Sequence, residues 1–507
     1  MDKKYEVYYD TPILISDVLK DNNIAFPLVC GGNHTCGKCK VKIKGAVSEI
    51  GDAERLLLGD SPEGVRLACF AKALGDCTVY LNFNKSKILT DFKAQKNDLL
   101  PLGENYGFAV DIGTTTVAVY LYDLKNGNLL KSCAFLNPQQ TFGADVISRI
   151  TASHFENKKN ELSISIVSAL QDSMLRLCKD CGVDKHSVDA AVITGNTAML
   201  YLLLKRDVKG LAFAPFEIED HLGYTLNATE LGFKGFNFNV LLPRVISSFV
   251  GADITCAAIN TLANTSNETV LLIDIGTNGE MVLKDKRNIF VCSTAAGPAF
   301  EGVGIKMGMP AKSGAISKVY TKNNKICFET VENTAPKGIC GSGLIDAVSV
   351  FLNLGYIDET GLIDNMLSSD CLTMLDGEFA LKIGDSGILL CQSDIRNLQL
   401  AKSAIRAGIE TLLNTLNISV SGLSRLIIAG GMGSSINTKS AQNIGLIPNI
   451  EKEKVYFAGN AAAGGAVTLL LNKEQVQFSQ EFAKSVKALE LANSEIFMEK
   501  YIENMMF

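Results

Sequence analysis

The chain is 507 residues long, 47% hydrophobic and 20% charged, the balance of a globular protein with room for about three domains. A formal net charge of −6 with no basic tract argues against general nucleic-acid binding, and the longest apolar runs, such as residues 461–471, contain glycines and are too short to span a bilayer. Met1-Asp2-Lys3-Lys4 leads straight into strand-like text rather than a signal peptide, so the fourteen cysteines are expected in a reducing cytoplasm.

In chain order, residues 4–9 read as a strand, 13–22 as a short helix, and 40–44 and 77–83 as strands. Within this frame lie Cys30, Cys36 and Cys39, with five and then two residues in the gaps, followed after 29 more by Cys69. Four thiolates in this order suit a two-iron, two-sulfide cluster, because one loop must wrap the cluster and supply three of them. Gly31, Gly32 and Gly37 let that loop approach closely. A zinc site is the alternative, but it prefers two CxxC-like pairs. The first gap is one residue longer than the plant-type pattern and resembles the loop of adrenodoxin-like and bacterial 2Fe-2S ferredoxins. Cys77 lies in an alternating strand and reads as packing, and His34 as a solvated loop residue. Cys178 and Cys181 form a lone CxxC at an expected helix end, which without a second pair points to no metal.

Residues 85–104 are polar and mixed, as a linker is. The text then repeats itself. Asp111-Ile112-Gly113-Thr114-Thr115 follows one apolar run, and Asp274-Ile275-Gly276-Thr277-Asn278 follows another. Each is followed by a second strand, expected over 117–122 and 281–284. Each half later has a strand running into a glycine turn: 190–195 into Asn196, and 426–429 into Gly430-Gly431-Met432-Gly433. Each closes on a small-residue helix, 251–259 and 459–471. A hairpin turn built this way offers backbone N–H groups and threonine hydroxyls to phosphate oxygens. Asp111 and Asp274 at strand ends would hold Mg²⁺ through water. Gly430, Gly431, Met432 and Gly433 would let a helix start approach a bound group closely.

This constellation resembles the acetate kinase, sugar kinase, Hsp70 and actin superfamily, whose members clamp ATP with two RNase H-like lobes. The expected fold is therefore α/β: an N-terminal β-grasp 2Fe-2S ferredoxin domain (1–84), a linker (85–104), a first RNase H-like lobe (105–262), a second (263–475) and a helical tail (476–507). Nucleotide contacts would come from Asp111, Gly113, Thr114, Thr115, Asp274, Gly276, Thr277 and Asn278 with the later glycine turn. Asp145 or Glu280 would orient the attacking water, although Asp145 could equally start a helix.

A ferredoxin domain, a linker and a two-lobed ATPase together resemble the reductive activators of corrinoid proteins. Further matching stretches are Asn137-Pro138-Gln139, residues 142–149, Thr194-Gly195-Asn196-Thr197, Ala214-Pro215-Phe216, residues 247–253 and residues 338–346. The resemblance implies one-electron reduction of an inactive Co(II) corrinoid methyl carrier to Co(I), driven by ATP with Mg²⁺. Cys30 and Cys36 would hold one iron, and Cys39 and Cys69 the other. The implied partners are a corrinoid protein and an unspecified low-potential electron donor, with a homodimer as the expected assembly and no membrane or nucleic acid involved. Two other readings fit the text less well. One is an activator of a different low-potential metalloenzyme, such as a 2-hydroxyacyl-CoA dehydratase; such activators lack an N-terminal ferredoxin domain. The other is a small-molecule kinase with a fused redox domain.

Overall fold

The computed structural model describes residues 3–8, 11–22, 24, 26, 32, 34, 37, 39–58, 63–81, 92, 99–262, 265, 267–431 and 436–507. The chain divides into two compact units, Met1–Ser86 with Pro101–Leu242, and Lys87–Leu100 with Pro243–Phe507.

At the N-terminus, strands Lys3–Val7, Lys72–Leu81, Lys40–Val47 and Val65–Leu67 form a sheet in that spatial order, and Ile13–Leu14 adds to Lys72–Leu81. The alternation in Lys40–Val47 explains its two faces: Val41 and Ile43 are buried while Lys40, Lys42 and Lys44 are exposed. Helix Ile15–Asp21 packs Ile15, Val18 and Leu19 onto the core, the i, i+3, i+4 stripe of an amphipathic helix. Two elements escaped the sequence reading, helix Asp52–Leu58 and strand Val65–Leu67. That helix inverts the usual polarity: Glu54 is 2% exposed and Leu56 is 83% exposed. Cys77 is buried in its strand, as packing requires.

The repeat becomes topology. In the first unit a six-stranded sheet runs Tyr224–Asn227, Asn239–Leu242, Val188–Gly195, Tyr106–Ile112, Thr116–Asp123, Asn128–Leu136. In the second the order is Val455–Gly459, Arg425–Ala429, Val270–Ile275, Gly279–Lys284, Ile289–Thr294, Lys487–Ala488. Each sheet has an antiparallel three-strand meander whose first strand pairs in parallel with a later one: Tyr106–Ile112 with Val188–Gly195, and Val270–Ile275 with Arg425–Ala429. After each meander comes a proline-started 3₁₀ turn, Pro138–Thr141 and Pro298–Glu301, a fourth shared element that the sequence did not reveal.

Between meander and returning strand the repeats differ. The first inserts helices Val146–His154 and Lys159–Cys181. The second inserts two three-stranded sheets and helices Gly341–Asn353 and Gln392–Thr415. The closing helix of the first repeat, Ala252–Leu262, packs in the second unit against the closing helix of the second, Ala461–Leu471. A Cβ on Gly465 would sit 2.5 Å from the Cys256 Cα and closer still to its carbonyl, so only glycine permits this approach. The C-terminal segment forms helices Glu474–Ser485 and Glu495–Glu503, with Lys487–Ala488 at the sheet edge.

Candidate functional site

Cys39 and Cys69 are both buried, and their sulfurs lie 3.3 Å apart, close enough to share one metal ion. Cys39 precedes strand Lys40–Val47, and Cys69 follows strand Val65–Leu67 in a tight turn; Lys40 pairs with Leu67, which brings the two cysteines to one end of the sheet. The Ala68 N–H donates to the Cys39 carbonyl at 2.9 Å, tying the two segments directly. His34 is exposed, with its ring centroid 4.2 Å from that of Phe70. Two soft thiols at this spacing fit an iron of a 2Fe-2S cluster. Cys30 and Cys36 lie outside the described residues, as do Met432 and Gly433.

In the first repeat, Asp111 is the penultimate residue of strand Tyr106–Ile112, opposite Ala118 and beside Thr194. The turn closes through the Gly113 N–H, which donates to the Thr116 carbonyl at 2.9 Å. Three buried or half-buried side chains then take the three successive carbonyls. Asn137 Nδ2 donates to Gly113 O at 2.9 Å, Arg149 Nη2 to Thr114 O at 2.6 Å and Gln140 Nε2 to Thr115 O at 2.9 Å. Asn196 Nδ2 donates to Thr114 Oγ1 at 3.0 Å. A trans peptide points its N–H away from its carbonyl, so this backing turns the Thr114 and Thr115 N–H groups to the opposite side. Asn137, Gln140, Arg149 and Asn196 were not among the expected nucleotide contacts; their work is to hold this loop.

In the second repeat, Asp274 and Glu280 are cross-strand partners on one face of the hairpin. Burial, and then the charges of Asp253 and Asp274, push the Glu280 carboxyl well above its ordinary range. The Gly276 N–H donates to Asn278 O at 3.0 Å, and Thr277 Oγ1 donates to Glu301 Oε1 at 2.7 Å. Gly430, at φ +95°, packs on the same point: a Cβ there would lie 2.7 Å from Asp274 Oδ1. Gly195 plays the equivalent part in the first repeat, 2.7 Å from Ile112 O by the same measure. Gly431 is an exposed turn residue next to it. Among the described residues, no three His, Cys, Asp or Glu side chains are arranged to hold a metal by themselves. A hard cation here would therefore need water or phosphate oxygens to complete its shell.

Asp145 is the N-cap of helix Val146–His154. Its Oδ1 accepts from Ser148 N at 2.7 Å and Ser148 Oγ at 2.8 Å, while its own N–H donates to Ser148 Oγ at 3.1 Å, a complete capping box. Cys178 and Cys181 close helix Lys159–Cys181, and burial pushes the Cys178 thiol up to about 11, which suits packing rather than redox chemistry.

Comparison with known proteins covers the chain from end to end. Residues 2–74 match the 2Fe-2S iron-sulfur cluster binding domain, 106–264 the RACo middle region, and 268–507 the C-terminal domain of RACo, the ASKHA domain. Over 97% of its length the chain is 32% identical to the corrinoid activation enzyme RamQ of Eubacterium limosum, 96% of which is covered. Over 78% of its length it is 27% identical to the Co(II) methylated amine-specific corrinoid protein reductase of Methanosarcina barkeri, 76% of which is covered. A solved structure, a reductive activator for corrinoid, iron–sulfur protein, superposes with a TM-score of 0.75 at 29% identity, covering 99% of this chain and 96% of that one.

Proposed function

The chain belongs to the family of reductive activators of corrinoid proteins, and we propose that ATP binding and hydrolysis drive one electron from the cysteine-bound cluster onto a corrinoid. The activity is reductive activation: Co(II) plus one electron gives Co(I), with no proton or bond transferred to the protein. The observation that carries the reading is the joining, in one polypeptide, of the buried Cys39–Cys69 pair and two Asp-Gly-Thr hairpins.

When bound, the cluster supplies a one-electron store at about −400 mV for plant-type centres. Each ~59 mV of uphill gap costs a factor of ten in a one-electron equilibrium, so reduction to Co(I) needs a second source of free energy. Each hairpin has groups suited to it. The Gly113–Thr115 loop would take phosphate oxygens on its N–H groups. Asp274 would hold Mg²⁺, and Asp111 is the corresponding residue on its own hairpin. Glu280, rather than Asp145, orients the attacking water: its carboxyl lies beside Asp274, whereas that of Asp145 is occupied by Ser148. The partner is a corrinoid methyl-carrier protein, recharged from a low-potential one-electron donor, and the working assembly is a homodimer. None of the twelve described cysteines is in a disulfide, and the proposed setting is a reducing cytoplasm. No helix among the described residues is long and apolar enough to cross a membrane.

The test is spectral. With a low-potential reductant and a Co(II) corrinoid protein, the Co(I) band should grow only when the chain and MgATP are both present. Cys69→Ser should abolish it while sparing ATP binding, and Asp274→Ala should abolish it while sparing the cluster spectrum. Equal Co(I) yield without ATP, or with Cys69→Ser, would refute the coupling.

A further inference from the structure

We propose that Arg149 is a positioning residue for polyphosphate: from behind the Gly113–Thr115 loop, its guanidinium aligns the Thr114 peptide and lends the loop a fixed positive charge. This rests on the nucleotide role proposed for that loop.

Arg149 is fully buried. Its Nη2 donates to Thr114 O at 2.6 Å, Nε to Gly143 O at 2.9 Å and Nη1 to the Met199 sulfur at 3.1 Å. These are neutral acceptors, and among the described residues no carboxylate forms an ion pair with it. Asp145 contributes a favourable charge from nearby, but its Oδ1 is occupied by Ser148. A buried cation is normally paired, because desolvating an uncompensated charge is costly. That cost shows in Arg149 itself: burial lowers its guanidinium to about 10. A staple for two carbonyls does not need a charge, since Asn137 and Gln140 hold the flanking carbonyls with neutral amides. What the charge adds is a field in a poorly screened place, pointing through a loop whose N–H groups already face the other way.

The second repeat shows the contrast. There the 3₁₀ turn after the meander brings Glu301 onto Thr277, and the hairpin carries Asp274 and Glu280. Both hairpins carry an aspartate near the strand end, Asp111 and Asp274, but the turn that follows is backed by Arg149 in the first copy and meets Glu301 in the second. That fits a phosphate-facing turn in the first repeat.

The experiment is calorimetric titration of the full-length chain with adenosine, ADP and ATP, comparing wild type, Arg149→Met and Arg149→Lys. Far-UV circular dichroism and cluster absorbance check folding. Arg149→Met should weaken ATP on the order of tenfold and ADP less, with adenosine unchanged within about twofold. Arg149→Lys keeps the charge without the planar fork, so its ATP-to-adenosine affinity ratio should stay within about twofold of wild type. A uniform loss for all three ligands in Arg149→Met, or no loss at all, overturns the proposal. If Arg149→Met does not fold, Arg149→Lys decides alone, and a collapsed ATP-to-adenosine ratio there overturns it. A wild-type chain that binds no ATP removes the nucleotide reading and this proposal together.

Discussion

Glu54 and Arg66 form a two-pronged ion pair almost out of contact with water: Arg66 Nε lies 2.9 Å from Glu54 Oε1 and Nη2 2.7 Å from Oε2, with the side chains 2% and 5% exposed. Glu54 Oε1 also accepts the Leu67 N–H at 2.8 Å. The pair thus ties helix Asp52–Leu58 to the strand that delivers Cys69, three residues after Arg66. Removing one partner strands a buried charge, which costs about 3–5 kcal/mol. Glu54→Ala should therefore lower the iron content of the purified protein and make the cluster bleach at lower temperature, while ATP binding persists. Iron assay with thermal bleaching of the cluster band checks this; full occupancy and an unchanged bleaching temperature would show that the pair does not position Cys69.

Glu280 is held against its own chemistry, buried beside Asp253 and Asp274. Its folded-state affinity for a proton is raised, so the folded chain binds more protons than the unfolded one above the ordinary carboxyl pKa of 4.5. Its contribution to stability is therefore present at low pH and lost as pH rises through the raised value. Glu280→Gln should flatten that decline in nucleotide-free, Mg²⁺-free protein, raise the melting temperature at neutral pH, and slow ATP hydrolysis by on the order of 10²-fold. Melting curves from pH 5 to 8 with a phosphate-release assay check both. Wild-type hydrolysis by Glu280→Gln would remove the residue from the chemistry.

The hairpins were legible because glycine, aspartate and threonine at a strand end leave a local signature, repeated as Asp111-Ile112-Gly113-Thr114 and Asp274-Ile275-Gly276-Thr277. Cys39 and Cys69 were legible by spacing. The support behind them was not. Arg149 reaches Thr114 across 35 positions and Asn196 reaches it across 82, contacts set by tertiary packing that no period or spacing encodes. Helix Asp52–Leu58 was missed for a related reason, since one of its two buried residues, Glu54, is an acid whose partner lies in another element. Asp145 shows the reverse, a carboxylate whose local signal fitted both a helix cap and an active site, with the capping box visible only in three dimensions.

Lys402 sits in the middle of helix Gln392–Thr415, 1% exposed, with its ammonium donating to the Met506 carbonyl and lying 5.2 Å from the Phe507 ring centroid. Burial, with a lesser push from Arg406, lowers it from 10.5 to about 8. The unfolded chain then holds more protons from about pH 8 to 10.5, so stability rises with pH across that window. The charged lysine costs at most about 3 kcal/mol below it. Lys402→Met should abolish the difference between melting temperatures at pH 7.5 and 9.5 that wild type shows. A rise of the same size in the variant would mean that another group titrates.

Gly464 and Gly465 separate two ways of crowding a helix crossing. Alanine should favour a helix interior over glycine by about 1 kcal/mol, so any loss must come from contact across the pair Ala252–Leu262 and Ala461–Leu471. At Gly464 the new methyl would meet the Asn260 side chain, its Nδ2 2.7 Å away, and a side chain can turn aside. At Gly465 it would meet the Cys256 backbone, whose Cα is 2.5 Å away, and the helices must part. Overpacking of this kind costs about 1–3 kcal/mol or more. Gly465→Ala should therefore melt several degrees below Gly464→Ala and slow ATP hydrolysis, because the two closing helices, one from each repeat, share this contact. Differential scanning calorimetry with a hydrolysis assay on both variants decides it. Equal melting temperatures would mean that the helices separate freely at Gly465, and the close approach there would carry no weight in the stability of the crossing.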